Sequence, residues 1–226
     1  MAKSSLSNPL ALAVLSCLLE KPMHPYEIST TLRNRGKENS IKLNYGSLYS
    51  VVESLSKHGM ITASETVRDG RRPERTVYEI TPAGREKHDS WLSELLSTPV
   101  RDFTSLEAGL SLMPGLSPDE VSRLLDMRAE KLRISLRSLQ ATFDVAGERG
   151  LPDLFLVEDY YRRAMTQAEL DFVVKLAEDI RSGALGGAKV WQRMHELVDS
   201  GVSLEEIGKD PVRFLGEEAR VMQPPQ

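Results

Sequence analysis

Residues Asn44 to Ile61 read NYGSLYSVVESLSKHGMI. Leu48, Val51, Val52 and Leu55 recur at helical spacing, so one face of this stretch must be buried. The opposite face carries Ser47, Ser50, Ser54 and Lys57, all short or cationic hydrogen-bond donors. A helix buried on one side and lined with small donors on the other suits the major groove of a duplex. Short side chains there let the backbone approach the base edges.

The neighbouring residues fit the same reading. Asn8 and Pro9 predict a helix start, and the apolar run that follows carries the helix to about Leu19. EKPMH is a turn, Pro25 opens a second helix with Tyr26, Ile28 and Leu32 available for burial, and Gly36 stops it. Asn44 caps the third helix and Gly59 ends it. MITASETV and RTVYEIT alternate like strands, and RDGRRPE between them contains Asp69-Gly70, a hairpin turn with an arginine-laden tip. Thr81 and Pro82 restart a helix. Three helices, a hairpin and a fourth helix make a winged helix-turn-helix, expected over residues 1–98.

The remainder predicts helices alone. Thr104–Glu107 and Ser117–Glu120 read as capping boxes, the second with Pro118 at the first helical position. A long helix follows, with Val121, Leu125, Leu132, Leu136, Leu139 and Phe143 on one stripe, until Gly147, Gly150 and Pro152 break it. A second runs from about Asp153 to Arg181, its stripe read as Val157, Tyr161, Ala164, Ala168, Phe172, Leu176 and Ile180. Helices of roughly 40 Å expose more apolar face than a small domain covers, and a second copy of the chain is the simplest cover. Residues 99–182 are therefore expected to be a helical dimerisation and effector domain. SGALGG, Ser182 to Gly187, reads as a flexible break, and 183–226 as a C-terminal helical extension. The fold class is mainly α with one small β-hairpin.

Composition narrows the function. The net charge of −4 is uneven: residues 1–100 hold 13 Lys and Arg against 11 Asp and Glu, whereas 101–226 hold 16 against 22. A polyanion would meet the N-terminal half. The single cysteine, Cys17, excludes an internal disulfide and suits a reducing, cytoplasmic compartment. LALAVLSCLL after MAK imitates a short signal peptide, but Glu20 and Lys21 follow at once without a small-residue cleavage site. No apolar run reaches the ~18 residues of a membrane span. The four histidines show no zinc-binding spacing and read as caps or surface residues, so no metal or cofactor is expected. No phosphate loop or nucleophile elbow occurs, and no serine is visibly paired with a histidine and a carboxylate. The chain does not read as an enzyme.

Three ordered motifs then carry a resemblance. LSCLLEKPMHPYEI, GSLYSVVESLSKHGMI and GRRPERTVYEITPAG resemble those of PadR-family transcriptional regulators, over about residues 9 to 90. The helical layout beyond resembles the subgroup with an AphA-like C-terminal domain. Pro25 stands where the family usually has glycine, Ser50 where it usually has proline, and Arg72 is inserted in the wing. The resemblance implies a homodimer, commonly a repressor of a neighbouring operon, with an effector in some members.

The expected DNA contacts are Tyr45, Ser47, Tyr49, Ser50, Ser54 and Lys57 from the third helix and Arg68, Arg71, Arg72 and Arg75 from the wing. Arginines at a wing reach phosphates or the adjacent minor groove. Leu132, Leu136, Tyr161, Phe172, Leu176 and Ile180 are the expected dimer contacts. Trp91, Tyr160 and Tyr161 are candidates to line a pocket for a small aromatic effector, with Arg162 or Arg163 for an acidic group. The competing reading from another class is a helical adaptor that uses the winged helix for protein contact.

Overall fold

Capping chemistry sets the helix starts. In the computed structural model, which describes residues 8–42, 44–67 and 75–222, Asn8 Oδ1 accepts the Leu10 N–H at 3.0 Å and Pro9 opens α1 (Pro9–Glu20). His24 caps α2 (Pro25–Asn34), its Nδ1 accepting the Tyr26 N–H at 3.1 Å. Asn44 caps α3 (Tyr45–Lys57), accepting the Ser47 N–H at 2.6 Å. The strands β1 (Ile61–Val67) and β2 (Arg75–Ile80) pair antiparallel, from Ile61 opposite Ile80 to Val67 opposite Arg75, with a bulge between Ala63 and Glu65. The expected turn at Asp69-Gly70 lies outside the described residues. Thr81 then caps α4 (Pro82–Ser97).

Residues 1–101 form one unit. Leu10, Val14, Leu15 and Leu18 of α1, Ile28 of α2, Leu48 and Leu55 of α3, and Ile61 of β1 are all within 2% of full burial. The α1–α2 turn is clipped to the wing: Met23 and Tyr78 exchange both backbone hydrogen bonds at 3.0 Å. Thr81 donates its hydroxyl to the Gly59 carbonyl at 2.7 Å, and α4 packs so close to the chain after α3 that a Cβ on Gly84 would overlap the Met60 carbonyl oxygen. Only glycine fits there.

Residues 102–226 form the other unit. It contains α5 (Ser105–Leu112), α6 (Pro118–Glu148), α7 (Val157–Ser182), α8 (Ala188–Asp199), α9 (Leu204–Lys209) and α10 (Pro211–Leu215). Thr104, Ser117 and Ser203 accept the N–H groups of Glu107, Glu120 and Glu206, as the capping boxes require. The Glu120 carboxylate, however, binds Arg123 at 2.6 and 2.8 Å, a stronger charge-assisted bond. At about 46 and 39 Å, α6 and α7 form an antiparallel pair. Val121, Leu125 and Ala129 meet Ile180, Ala177, Val173 and Leu170 along the seam, with Arg128–Glu169 at 2.6 Å and Arg181–Asp126 at 2.8 Å beside it.

The stripe expected from the sequence for α7 mixes two faces. Steps of four residues drift by about 40° each, so Ile180 lies about 100° around the helix from Tyr161. Ile180 is buried in its own chain's seam, whereas Tyr161 is 69% and Phe172 51% exposed. The segment after Ser182 folds back onto this unit. Gly183, in the left-handed conformation at φ 73°, ends α7. Trp191 of α8 then joins the α6–α7 core, and α9 and α10 bury Leu197, Ile207 and Leu215 in a smaller cluster. Among the described residues no helix is long and apolar enough to cross a membrane.

Candidate nucleic-acid interface

α3 buries one face and offers the other. Leu48, Val51, Val52 and Leu55 pack on α1 and α2 within a single core, with none more than 5% exposed. Facing outward are Tyr49, Ser50 and Lys57, with Ser47 and Ser54 half-buried at the edges. The Ser50 hydroxyl donates to the Gly46 carbonyl at 3.0 Å. That bond parks the proton along the helix and leaves the oxygen lone pairs outward, so Ser50 in this rotamer is an acceptor that must rotate to donate. Tyr49 is 47% exposed, about half of it packed against the domain.

Two exposed residues join this face that the sequence pattern alone does not select. Lys42, exposed, lies just before the Asn44 cap at the N-terminal end of α3. Its only signal is the isolated cation in IKLNYGS. Glu53 lies one turn beyond Tyr49, exposed on the outward face. A carboxylate there repels phosphate and accepts a hydrogen bond from cytosine N4. In the sequence it interrupts an otherwise donor-rich face, which hides it. Arg68, Arg71 and Arg72 lie outside the described residues, and of Tyr45 and Arg75 only the backbone is described.

The candidate effector residues are distributed over both units. Trp91 is buried in the N-terminal core, with the Lys87 ammonium 5.8 Å from its ring centroid. Tyr160 stacks on Phe143 at 4.9 Å, donates its hydroxyl to Asp153 at 2.8 Å, and carries the Arg163 guanidinium 5.5 Å from its ring centroid. The Asp153 carboxylate raises the Tyr160 phenol above its ordinary range. Arg162 pairs with Asp159 at 2.9 Å, and Tyr161 faces outward.

One expectation is corrected here. A serine is paired with a histidine and a carboxylate: Ser16 Oγ lies 3.0 Å from His88 Nε2, and His88 Nδ1 lies 2.9 Å from Asp89 Oδ1. His88 is also buried rather than superficial. The arrangement is a tie between α1 and α4. Ser16 stands in mid-helix and donates its one hydroxyl proton to the Leu12 carbonyl at 3.0 Å. The N–H groups around it are committed to the helix, so no backbone donor is free to form an oxyanion hole. The other three histidines cap or brace: His24 begins α2, His58 Nδ1 meets the Ser54 carbonyl at 2.7 Å, and His195 Nε2 the Pro114 carbonyl at 2.9 Å. Burial pushes the Cys17 thiol up to about 11, against a smaller downward pull from Arg35.

A helix-turn-helix braced by a two-stranded wing, with a polar helix face left open, defines the winged-helix class of regulators. Residues 14–90 match the transcriptional regulator PadR-like family. The chain is a DNA-binding transcriptional regulator and not an enzyme. The fold is similar to that of Bacillus subtilis PadR in complex with operator DNA (18% identity, TM-score 0.62, covering 76% of this chain and 98% of that one). It is similar also to Bacillus subtilis PadR in complex with p-coumaric acid (15%, 0.59, 78% and 97%) and to the Vibrio cholerae virulence activator AphA (16%, 0.58, 76% and 98%). No curated protein sequence matches the chain significantly.

Proposed function

We propose that this chain is a cytoplasmic homodimeric repressor that binds a two-fold symmetric operator through α3 and its arginine-rich wing. The observation that carries this reading is the outward face of α3, where Tyr49, Ser50 and Lys57 stand on a helix whose other face is buried. Ser47, Ser50 and Glu53 would then read base edges, while Lys42, Lys57, Tyr45, Tyr49 and the wing arginines Arg68, Arg71, Arg72 and Arg75 hold the phosphates. Bacillus subtilis PadR in complex with operator DNA supports the same use of the shared fold.

Dimerisation is supported by the apolar side chains that α6 and α7 leave outside their own seam. Met127 and Ile134 of α6 and Tyr161, Met165 and Phe172 of α7 are all about half exposed or more. Leu132, Leu136 and Leu176 are partly buried at the seam edges, where a second copy would complete their cover. A dimer presents two copies of α3 to half-sites about 10 bp apart or a multiple of that. A small aromatic effector that binds the released geometry more tightly than the bound one would lift repression. Trp91, Tyr160 and Tyr161 are the side chains to follow for it, and p-coumaric acid, the ligand of one solved PadR complex, is a first compound to titrate.

The test is sequencing of genomic fragments retained by the purified protein, followed by titration of the recovered site at several salt concentrations. Enrichment of one palindrome, with affinity falling steeply as salt rises, is the expected result. Retention without sequence enrichment or salt dependence would return the winged helix to the adaptor reading.

A further inference from the structure

α8 is fastened to the turn between α5 and α6 by two hydrogen bonds. Trp191 Nε1–H donates to the Leu116 carbonyl at 2.8 Å, and His195 Nε2 meets the Pro114 carbonyl at 2.9 Å. Between α8, the Met113–Gly115 turn and the Glu217–Met222 turn lies a cavity of about 740 Å³. That volume falls in the range of small-molecule sites. It lies wholly in the C-terminal unit and outside the family-matched residues 14–90.

The walls define what would fit. Met113, Leu185, Val190 and Met194 give an apolar lining, and the two thioethers adapt to irregular ligand outlines. Trp191 has committed its N–H to Leu116, so it offers the cavity an aromatic ring and no donor. Among the described lining residues only Glu218 is ionisable. Its neighbour Glu217 is paired with Arg220 at 2.6 Å and Arg193 with Glu196 at 3.3 Å, whereas no ion pair engages Glu218 among the described residues. An open apolar cleft with an aromatic wall and one exposed carboxylate at its rim attracts positive charge attached to apolar bulk. We propose that this cavity is a binding site for a small lipophilic cation, such as an aryl- or alkylammonium compound.

Tetraphenylphosphonium and tetraphenylborate separate charge from bulk, since they are near-identical in size and opposite in sign. Calorimetric titration of the full chain without DNA should show the phosphonium binding once per chain and the borate at least tenfold more weakly. Glu218→Gln, an exposed change, should erase that difference. Gly186→Phe should abolish binding of the phosphonium without disturbing the fold. A Cβ at Gly186 meets nothing within 4 Å, and its φ lies outside the left-handed region. Equal binding of the two ions, a charge preference that survives Glu218→Gln, binding that survives Gly186→Phe, or no phosphonium binding at millimolar concentration would each overturn the assignment.

Discussion

The two units spend their apolar residues differently. In the N-terminal unit α1, α2, α3 and the wing surround one continuous core, and α1 is buried almost all round, from Leu10 to Leu18. In the C-terminal unit α6 and α7 make a narrow seam of Val, Ala, Leu and Ile joined by Trp191, with a separate small cluster under α9 and α10. Large side chains such as Tyr161, Met165 and Phe172 stay outside it. A unit with a closed core folds by its own contacts, whereas two long helices sharing a thin seam depend on whatever covers their other faces.

That contrast can be broken by substitution. Leu15→Ala removes a fully buried side chain and should destabilise the N-terminal unit by about 2–5 kcal/mol, while leaving association unchanged. Urea unfolding followed by sedimentation would show it, and an equal loss in both units would mean that they share one cooperative core. Next in size, Tyr161→Asp with Phe172→Asp should weaken self-association at least ~100-fold, because two desolvated aromatics contribute about 3 kcal/mol or more. Ile180→Ala should instead unfold the seam, since Ile180 faces its own chain. Dimers that persist with both aspartates would place the interface elsewhere.

Arg71→Ala with Arg72→Ala should lower the salt slope of operator binding by about 0.9 for each phosphate left without its arginine. Affinity would fall for every sequence alike, in contrast with Ser50→Ala, which should change the preferred sequence. An unchanged slope would remove the wing from the interface. The smallest effect concerns Cys17. Because burial raises its thiol from the ordinary 9 to about 11, the folded protein holds that proton more tightly than the unfolded chain. Its contribution is complete below pH 9 and is lost as pH rises from 9 toward 11. The stability difference between the parent chain and Cys17→Ala should shrink over that window, and a thiol reagent at about pH 8 should label Cys17 only after denaturation.

How far the fold can be read from the sequence depends on the range of each interaction. Asn8, Asn44, Thr81, Thr104, Ser117 and Ser203 cap helices through bonds spanning two or three residues, so local chemistry is enough. The hairpin follows from alternation, and the apolar face of α3 from its period. The tie between Ser16 and His88 spans 72 residues and exists only once α1 meets α4, so no spacing rule could reveal it. Trp191 bonds to Leu116 across 75 residues for the same reason, and the segment beyond Ser182 therefore reads as an appendage. On α7 the face has to be chosen among several apolar residues, and only the seam with α6 discriminates between them.

The mutual hydrogen bonds of Met23 and Tyr78 have a consequence for engineering. They rivet the base of the wing to the turn between α1 and α2, several residues away from the tip. A tip of different length or charge could therefore be exchanged as a cassette between Val67 and Arg75 without altering how the base is anchored. Backbone amide exchange would report the rivet directly: the N–H groups of Tyr78 in the wing and Met23 in the α1–α2 turn should exchange slowly, and they should stay slow in every tip variant that still folds.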